Sequence, residues 1–222
     1  MVRVENLDQM LQAYQQAKDA CIEVMIQEFI PGDETQGVNY NSYFWNGQPL
    51  VEFTAQKVRL TVRDFGLPRM VISKDISEII EPGRKIIRAL GFNGYSCTEF
   101  KKDIRDGVYK LMEVNGRHNR SGLLSTHCNI NFPWIQYKHL VQGELPSEGN
   151  YLTDIYWMDE FNDVICSIKY HHQERYSLMQ YIRPYLKRHI FAVFDMKDPM
   201  PFFKGFADII KLKLRKIIAV IN

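Results

Sequence analysis

The sequence predicts an α+β fold in which an antiparallel sheet is flanked by helices. Two stretches are typical of β-hairpins, because Asp106-Gly107 and Asn46-Gly47 each separate two runs of alternating apolar residues. Apolar residues at helical spacing predict helices over residues 7–20, with Asn6 as the N-cap, and over residues 76–90. Strands joined by tight turns and separated by helices of this kind indicate an α+β architecture.

Composition narrows the class of protein. The chain has 222 residues, of which 45% are apolar and 24% charged, so it can build one substantial core and is not disordered. Its four cysteines lack C-x-x-C spacing, which argues against a zinc or disulfide framework and favours a reducing, cytoplasmic setting. No apolar run is long enough to cross a membrane, and the acidic first twenty residues do not read as a signal peptide.

The stretch from residue 99 to residue 117 carries the most chemical information. A two-residue loop at Asp106-Gly107 would send Glu99 and Glu113 to opposite faces of the hairpin, with Glu99 opposite Val114. A three-residue loop over residues 105–107, with the glycine in the left-handed conformation, places Glu99 directly across from Glu113. We expect the second register.

In that register Asn115 joins Glu113 on one face, because side chains alternate along a strand. Two adjacent carboxylates repel unless a proton or a cation lies between them, and oxygen ligands of this kind suit Mg²⁺. Two alternatives remain: a solvent-facing hairpin with scattered charges, and the paired acids Glu99 and Glu113 of a glycosidase. The carboxamide and nearby cations favour metal and phosphate.

The pattern Glu99…Glu113-Val114-Asn115, in the context L-M-E-V-N, resembles the metal-binding hairpin of the ATP-grasp superfamily. In that superfamily an acid on one strand and E-x-N on the next hold the Mg²⁺ of ATP. The continuation N-G-R-H-N-R-S-G-L-L is most similar to a carbamoyl-phosphate-synthase-like or D-aspartate-ligase-like branch, although Gly116 stands where that branch tends to have proline. The resemblance implies an ATP-grasp-type sheet and the cofactors ATP and Mg²⁺.

A second stretch resembles the hinge that contacts adenine in these enzymes. Residues 21–30 alternate and are predicted to form a buried strand that ends in a turn at Pro31-Gly32. The resemblance assigns the adenine edge to backbone groups of Glu28, Phe29 and Ile30. It assigns the ribose hydroxyls to the carboxylate of Glu34. The alternative is a plain strand and turn with a hydrated Glu34.

Cationic side chains are predicted near the phosphates. Alternation puts Lys57 and Arg59 on one face of a strand, where phosphate oxygens would relieve their repulsion; an exposed strand edge is the alternative. Arg117, two residues beyond the metal motif, is the candidate catalytic residue that stabilises a transferring phosphoryl group, or else a surface turn residue. In the irregular segment before residue 71, Arg63 and Arg69 are weaker candidates for contacting an acid substrate.

The resemblance covers residues 1–145, and we expect residues 146–222 to form a helical, basic C-terminal extension, solvated or lying on a membrane surface. The lysine strand and glycine-rich loop that precede this region in the superfamily have no counterpart in the chain. We therefore expect part of an ATP-dependent carboxylate–amine ligase, with ATP, a small carboxylate and an amine as partners and no nucleic acid. It would need a missing N-terminal half or a second copy, and the alternative is a nucleotide-binding or oligomerising fragment without turnover.

Overall fold

The computed structural model describes residues 2–62, 66–146, 149–174 and 176–221, without the side chains of Glu34, Ile210 and residues 212–221. It confirms the predicted α+β class, with one seven-stranded sheet and flanking helices. The strands are β1 (Gly37–Trp45), β2 (Gln48–Leu60), β3 (Pro68–Ser73), β4 (Gly94–Lys102), β5 (Tyr109–Asn115), β6 (Tyr156–Met158) and β7 (His189–Phe191). The helices are α1 (Leu7–Asp19), α2 (Ile80–Ala89), α3 (Leu123–His127), α4 (Phe132–Tyr137), α5 (Glu160–Glu174), α6 (Leu178–Ile182) and α7 (Met200–Ile221).

The strands lie in the order β5-β4-β1-β2-β3-β6-β7. Every neighbouring pair is antiparallel except β6 and β7, which are parallel. The predicted turn at Asn46-Gly47 joins β1 to β2, and both residues have the positive φ angles, 48° and 74°, that a two-residue hairpin loop requires. The sheet continues beyond residue 145 through β6 and β7, and the division into two domains at that position stays a prediction.

Both faces of the sheet carry a hydrophobic core. On one face, strand residues such as Tyr43 and Phe53 pack against Leu124 and Phe132 of the α3–α4 region. On the other, residues that include Tyr40, Phe44, Ile79 and Ile87 pack around α2. Burial of each large apolar side chain contributes about 1.5–3 kcal/mol. Strand β1 is therefore covered on both sides and forms the centre of the domain.

The N-terminal segment differs from its prediction in part. Helix α1 begins after Asn6 as predicted, with the side chain of Asn6 accepting a hydrogen bond from the backbone N–H of Gln9 at 2.9 Å. The predicted buried strand over residues 21–30 is wrong, because Ile22 and Ile26 remain 60% and 63% exposed. Alternation supplies an apolar face, but burial also needs a neighbouring strand, and none pairs with this segment in the described part of the chain.

A buried ion cluster joins the sheet to α5. Asp163 of α5 lies 2.7 Å from the guanidinium of Arg59 on β2 and 3.1 Å from that of Arg69 on β3. Arg69 also contacts Glu174 at 2.6 Å, and the hydroxyl of Tyr185 donates to Asp163. All three of the central charged groups are at most 2% exposed. Burial and this hydrogen bond raise the pKa of Tyr185, so that its hydroxyl stays protonated and remains a donor.

This cluster corrects one of the weaker sequence-based assignments. Arg69 was expected in an irregular segment near an acid substrate, but it lies within β3 and is fully buried against internal carboxylates. Arg63, its companion in that assignment, falls outside the described residues. The charge of Arg69 thus serves packing of the C-terminal region.

Helix α7 lies at the end of residues 146–222, for which a helical, basic extension was predicted, and the same region also contributes β6 and β7 to the sheet. The ring of Phe202 stacks on Phe161 of α5 with centroids 5.0 Å apart, while Phe203 and Phe206 stay more than half exposed. Among the described residues, no helix combines the length and apolar character needed to span a membrane. Whether α7 lies on a membrane surface stays a prediction.

Replacing Asp163 with alanine should lower the free energy of unfolding by about 3–5 kcal/mol, because buried Arg59 would lose its counter-ion and buried Arg69 would keep only Glu174. Urea denaturation followed by circular dichroism measures the change. The matched control is Glu144→Ala, which removes an exposed ion pair with Lys138 and should cost less than about 1 kcal/mol. Equal effects of the two substitutions would contradict the importance of the cluster.

Candidate functional site

The β4–β5 hairpin places Glu99 directly opposite Glu113, which confirms the predicted opposition. The loop itself is longer than predicted, since the backbone N–H of Asp103 already bonds to the carbonyl of Val108 at 2.9 Å. The pairing then skips Met112, and this β-bulge restores the register in which the two glutamates meet. The predicted three-residue loop is therefore wrong, although the juxtaposition it was used to derive is right.

Two rows of residues cross the sheet beside this pair. The first row runs from β2 to β5 through Ala55, Asn39, Glu99 and Glu113. The second, one step along the same face, runs through Phe53, Asn41, Cys97 and Asn115. Phe53 and Cys97 belong to the hydrophobic core that packs against Leu124 and Phe132. The two rows therefore lie on the same face of the sheet as that core.

The charges in the first row are only partly balanced. The ammonium of Lys57 forms an ion pair with Glu99, and both side chains are largely buried. Glu113 is exposed, and in the described part of the chain its carboxylate has neither an ion pair nor a hydrogen bond. One carboxylate thus has an internal cation, whereas its neighbour has none.

Arg117 lies within electrostatic range of Cys97, which is two residues from Glu99 on the same face of β4. Burial raises the pKa of the Cys97 thiol to about 12, and the negative charge of Glu99 adds to this effect. A hydrogen bond from Asn119 and the positive charges of Lys57 and Arg117 act in the opposite direction. Both cations and Glu99 therefore lie within electrostatic range of one buried thiol. Arg117 itself is exposed, as expected for a group that would meet a ligand.

Arg59 does not lie with this group. A β-bulge or irregularity between Lys57 and Arg59 breaks the alternation from which a shared face was predicted. The guanidinium of Arg59 bonds instead to Asp163 and to the backbone carbonyls of Gln180 and Tyr181, and it is 2% exposed. We therefore leave Arg59 out of the candidate site.

The predicted hinge lies beside an open groove of about 1020 Å³. The ring of Phe29 lines this groove, with the guanidinium of Arg3 above it at 4.3 Å from its centroid. Glu28 contacts Arg105 at 2.5 Å, and Ile30 is buried. The side chain of Glu34 lies outside the described part of the structure, so its assignment to ribose stays a prediction.

Three asparagines near the glutamates were missed by the sequence analysis. Asn39 and Asn41 are buried in β1, and Asn119 folds back from the following turn. The amide of Asn119 donates to the Oδ1 of Asn41 at 2.9 Å and to the Sγ of Cys97 at 3.3 Å. Asparagine is uncommon inside strands, so two of them at period-two spacing were the available signal of a polar face.

The donor set fits a hard divalent cation that also binds phosphate. Among the described residues there is no group of three or more His, Cys, Asp or Glu side chains placed to hold a metal. Two carboxylates and the carboxamide of Asn115 would supply only some of the oxygen ligands of a metal ion. This matches Mg²⁺, because Mg²⁺ takes its remaining ligands from water and phosphate. The ammonium of Lys57 on Glu99 shows that one carboxylate already accepts a cation.

No family model matches the chain. In sequence it is similar to D-aspartate ligase from Enterococcus faecium (strain Aus0004), with 29% identity over 119 residues. The matched region is 49% of this chain and 27% of the ligase. The chain therefore spans well under two thirds of the length of this relative.

Solved structures show the fold. N5-carboxyaminoimidazole synthetase from Staphylococcus aureus matches with a TM-score of 0.52 and 16% identity, over 68% of this chain and 40% of that one. The β-γ-ATP complex of biotin carboxylase from Campylobacter jejuni matches with a TM-score of 0.50 and 18% identity, over 69% of this chain and 36% of that one. This is an ATP-grasp fold. The ATP-grasp resemblance stated from the hairpin motif is thus confirmed.

A third match to the ATP-grasp fold is the biotin carboxylase domain of 2-oxoglutarate carboxylase from Hydrogenobacter thermophilus, solved with MgADP and bicarbonate. Its TM-score is 0.51 at 12% identity, over 67% of this chain and 35% of that one. At these identities the structural matches establish fold alone. Roles of individual residues must therefore come from the geometry of this chain.

Arg105 links the hairpin loop to the predicted hinge, and it should control the titration of Asp103. Hydrogen bonds from Arg105 lower the pKa of Asp103 from 3.8 to about 2. The folded pKa is below the unfolded one, so the ionised carboxylate stabilises the fold above pH 3.8, and this stabilisation is lost as the pH falls from about 4 to about 2. In Arg105→Ala the pKa should rise towards 3.8, as measured by NMR of the side-chain carboxyl carbon.

The matched control is Lys138→Ala, which removes an exposed cation that pairs with Glu144 on another part of the surface. Thermal unfolding between pH 5 and pH 2 should show a smaller acid-dependent loss of stability in Arg105→Ala than in the control. If Asp103 titrates identically in both variants, Arg105 does not hold the loop.

Proposed function

We propose that this chain is the Mg·ATP-binding part of an ATP-dependent carboxylate–amine ligase. The observation that carries the proposal is the placement of Glu99 opposite Glu113, with Asn115 on the same face and Lys57 paired to Glu99. The ATP-grasp fold and the similarity to a D-aspartate ligase support it. The matched region is 27% of that ligase, so the ligase activity is proposed for a whole protein that contains this site.

Glu99, Glu113 and Asn115 are the proposed ligands of Mg²⁺. When bound, Mg²⁺ would supply positive charge that neutralises the charge developing during phosphoryl transfer. Lys57 would leave Glu99 and donate to phosphoryl oxygens, since its flexible side chain already reaches over the neighbouring strand. Arg117 is exposed and lies within electrostatic range of Cys97, the neighbour of Glu99 on the same face of β4, and it would stabilise charge on the transferred group.

The groove beside the hinge is the proposed site of the nucleoside. Backbone groups of Glu28, Phe29 and Ile30 would contact the adenine edge, and Glu34 would bond to the ribose hydroxyls. The groove is bounded on its other side by Arg105 of the hairpin loop. Its position next to the same hairpin that carries the metal ligands supports a single nucleotide spanning both.

The proposed reaction has two steps. A carboxylate oxygen of the substrate attacks the γ-phosphorus of ATP, the bond to ADP breaks, and an acyl phosphate forms. The amine then attacks the acyl carbon, loses a proton, and expels phosphate to give the amide. The residues of this chain hold the phosphates and their charge, while the carboxylate and amine substrates are small molecules.

The four cysteines are unpaired thiols, which agrees with the reducing, cytoplasmic setting that we propose.

A second candidate function is nucleotide binding without turnover. The exposed residues Ile22 and Ile26 precede the hinge in a segment that has no strand partner among the described residues. A segment of this kind would be completed by another polypeptide or a second copy, and the phosphates would be enclosed only in that assembly. This candidate shares the metal and nucleotide site and differs only in the absence of product.

The substitution Glu113→Gln should remove the Mg²⁺-dependent part of ATP binding. We expect isothermal titration of ATP to show tighter binding with Mg²⁺ than without it, and this gain to fall by about 10- to 100-fold or more in Glu113→Gln. Glu113 is exposed, so the substitution should leave the fold intact. The control is Glu144→Gln, another exposed glutamate, and equal ATP affinity in the two variants would contradict the proposed metal site.

Trapping with hydroxylamine separates the two candidate functions. With Mg·ATP, hydroxylamine and a panel of amino acids that includes D-aspartate, the ligase predicts equal amounts of ADP and hydroxamate, both lost in Glu113→Gln. Colorimetric detection of the hydroxamate and chromatography of ADP measure the two products. Binding of Mg·ATP with neither product would support the nucleotide-binding candidate.

A further inference from the structure

The ion pair between Lys57 and Glu99 crosses a strand. Lys57 lies on β2 and Glu99 on β4, and β1 runs between them. Two strand spacings amount to roughly 10 Å, so the lysine side chain must extend over β1 to reach the carboxylate. Two small residues leave room for this path. Gly37 of β1 has no side chain, and Ala55 is the β2 residue of the first row, which contains Glu99.

Asn39 is the residue of β1 that shares this row. It pairs in register with Ala55 on one side and with Glu99 on the other. Asn39 is 2% exposed, and its Oδ1 atom has no hydrogen-bond partner in the described part of the chain. A buried acceptor without a donor is unfavourable, and such atoms call for an explanation.

A donor that could bond to this acceptor lies on the adjacent strand. Lys57 is a diagonal neighbour of Asn39 across the β1–β2 pair, within reach of a long side chain. An ammonium group has three N–H donors, and Glu99 engages it now. If a metal ion took over Glu99, the ammonium could turn to the Oδ1 of Asn39 without leaving the row.

We propose that Lys57 is an internal counter-ion that holds the place of the metal on Glu99 in the nucleotide-free chain, and that Asn39 receives it when metal binds. This inference rests on the proposed metal site. A divalent cation arriving alone must displace the ammonium, and Asn39 partly compensates for that loss. A cation arriving with ATP meets less opposition, because the phosphates offer Lys57 an anionic partner. Metal and nucleotide thus strengthen each other's binding by the same factor.

Binding of Mn²⁺ without nucleotide tests the first half of the proposal. Free Mn²⁺ is measured by electron paramagnetic resonance in titrations of the full chain and of Lys57→Met, which keeps the length of the side chain and removes its charge. We expect Lys57→Met to bind Mn²⁺ about tenfold more tightly or better, because a competing unit charge is gone. The control Lys74→Met, which removes an exposed lysine bonded to Gln56, should leave the affinity unchanged.

A double-mutant cycle tests the part of Asn39. Asn39→Leu keeps a similar volume but has no acceptor, so the displaced ammonium would have nowhere to bond and Mn²⁺ affinity without nucleotide should fall severalfold. In the Lys57→Met background the same substitution should have no effect, since there is no ammonium to receive. A purely structural role of Asn39 would change Mn²⁺ affinity equally in both backgrounds, and thermal melts confirm that each variant folds.

The possible failures are distinguishable. If Lys57→Met binds Mn²⁺ no more tightly than the unmodified chain, while Glu113→Gln still removes Mn²⁺ binding in the presence of ATP, the counter-ion proposal is overturned and the metal site stands. If no variant binds Mn²⁺ with or without ATP, both the metal site and the counter-ion are refuted. Equal loss on Asn39→Leu in both backgrounds would overturn the receiving role of Asn39 alone.

Discussion

The opposition of Glu99 and Glu113 across two strands is the constraint on which the candidate site depends. Side chains alternate along a strand, so a shift of one residue would send one carboxylate to the α2 face of the sheet. The β-bulge at Met112 sets the register as much as the loop does. Once the two carboxylates share a face, their repulsion demands a cation, and the positions of Lys57 and Asn115 acquire a chemical meaning.

A different electrostatic solution operates at the other end of the sheet. There Asp163 is enclosed between Arg59 and Arg69, with all charges buried and matched within the chain. The two guanidinium groups balance the carboxylates of Asp163 and Glu174, and the cluster holds α5 against the sheet. In the first row, which contains Glu99 and Glu113, the charges are not balanced, because Glu113 is exposed and has no cationic partner among the described residues. The contrast separates charges that stabilise the fold from charges that are available to a ligand.

Sequence reasoning succeeded where local rules decide the outcome. Turn chemistry and alternation predicted both hairpins. They also predicted the meeting of Glu99 with Glu113, but from a loop that was one residue too short, and the β-bulge at Met112 offsets this difference. Sequence reasoning failed where the structure depends on partners that are distant in sequence. Alternation cannot show that the segment before the hinge lacks a neighbouring strand, or that Arg59 meets Asp163, which is 104 residues away. The orphaned Oδ1 of Asn39 needed coordinates as well, since only the register places it beside Glu99.

The most direct test of the metal–nucleotide site is to locate the cation within the folded chain. Paramagnetic Mn²⁺ added with ATP to the isotopically labelled protein broadens the NMR signals of nearby amides. The account predicts that the amides of Glu99, Glu113 and Asn115 broaden first, whereas that of Asp163 is unaffected. Broadening centred on the acids of α5, or spread evenly over the surface, would contradict it.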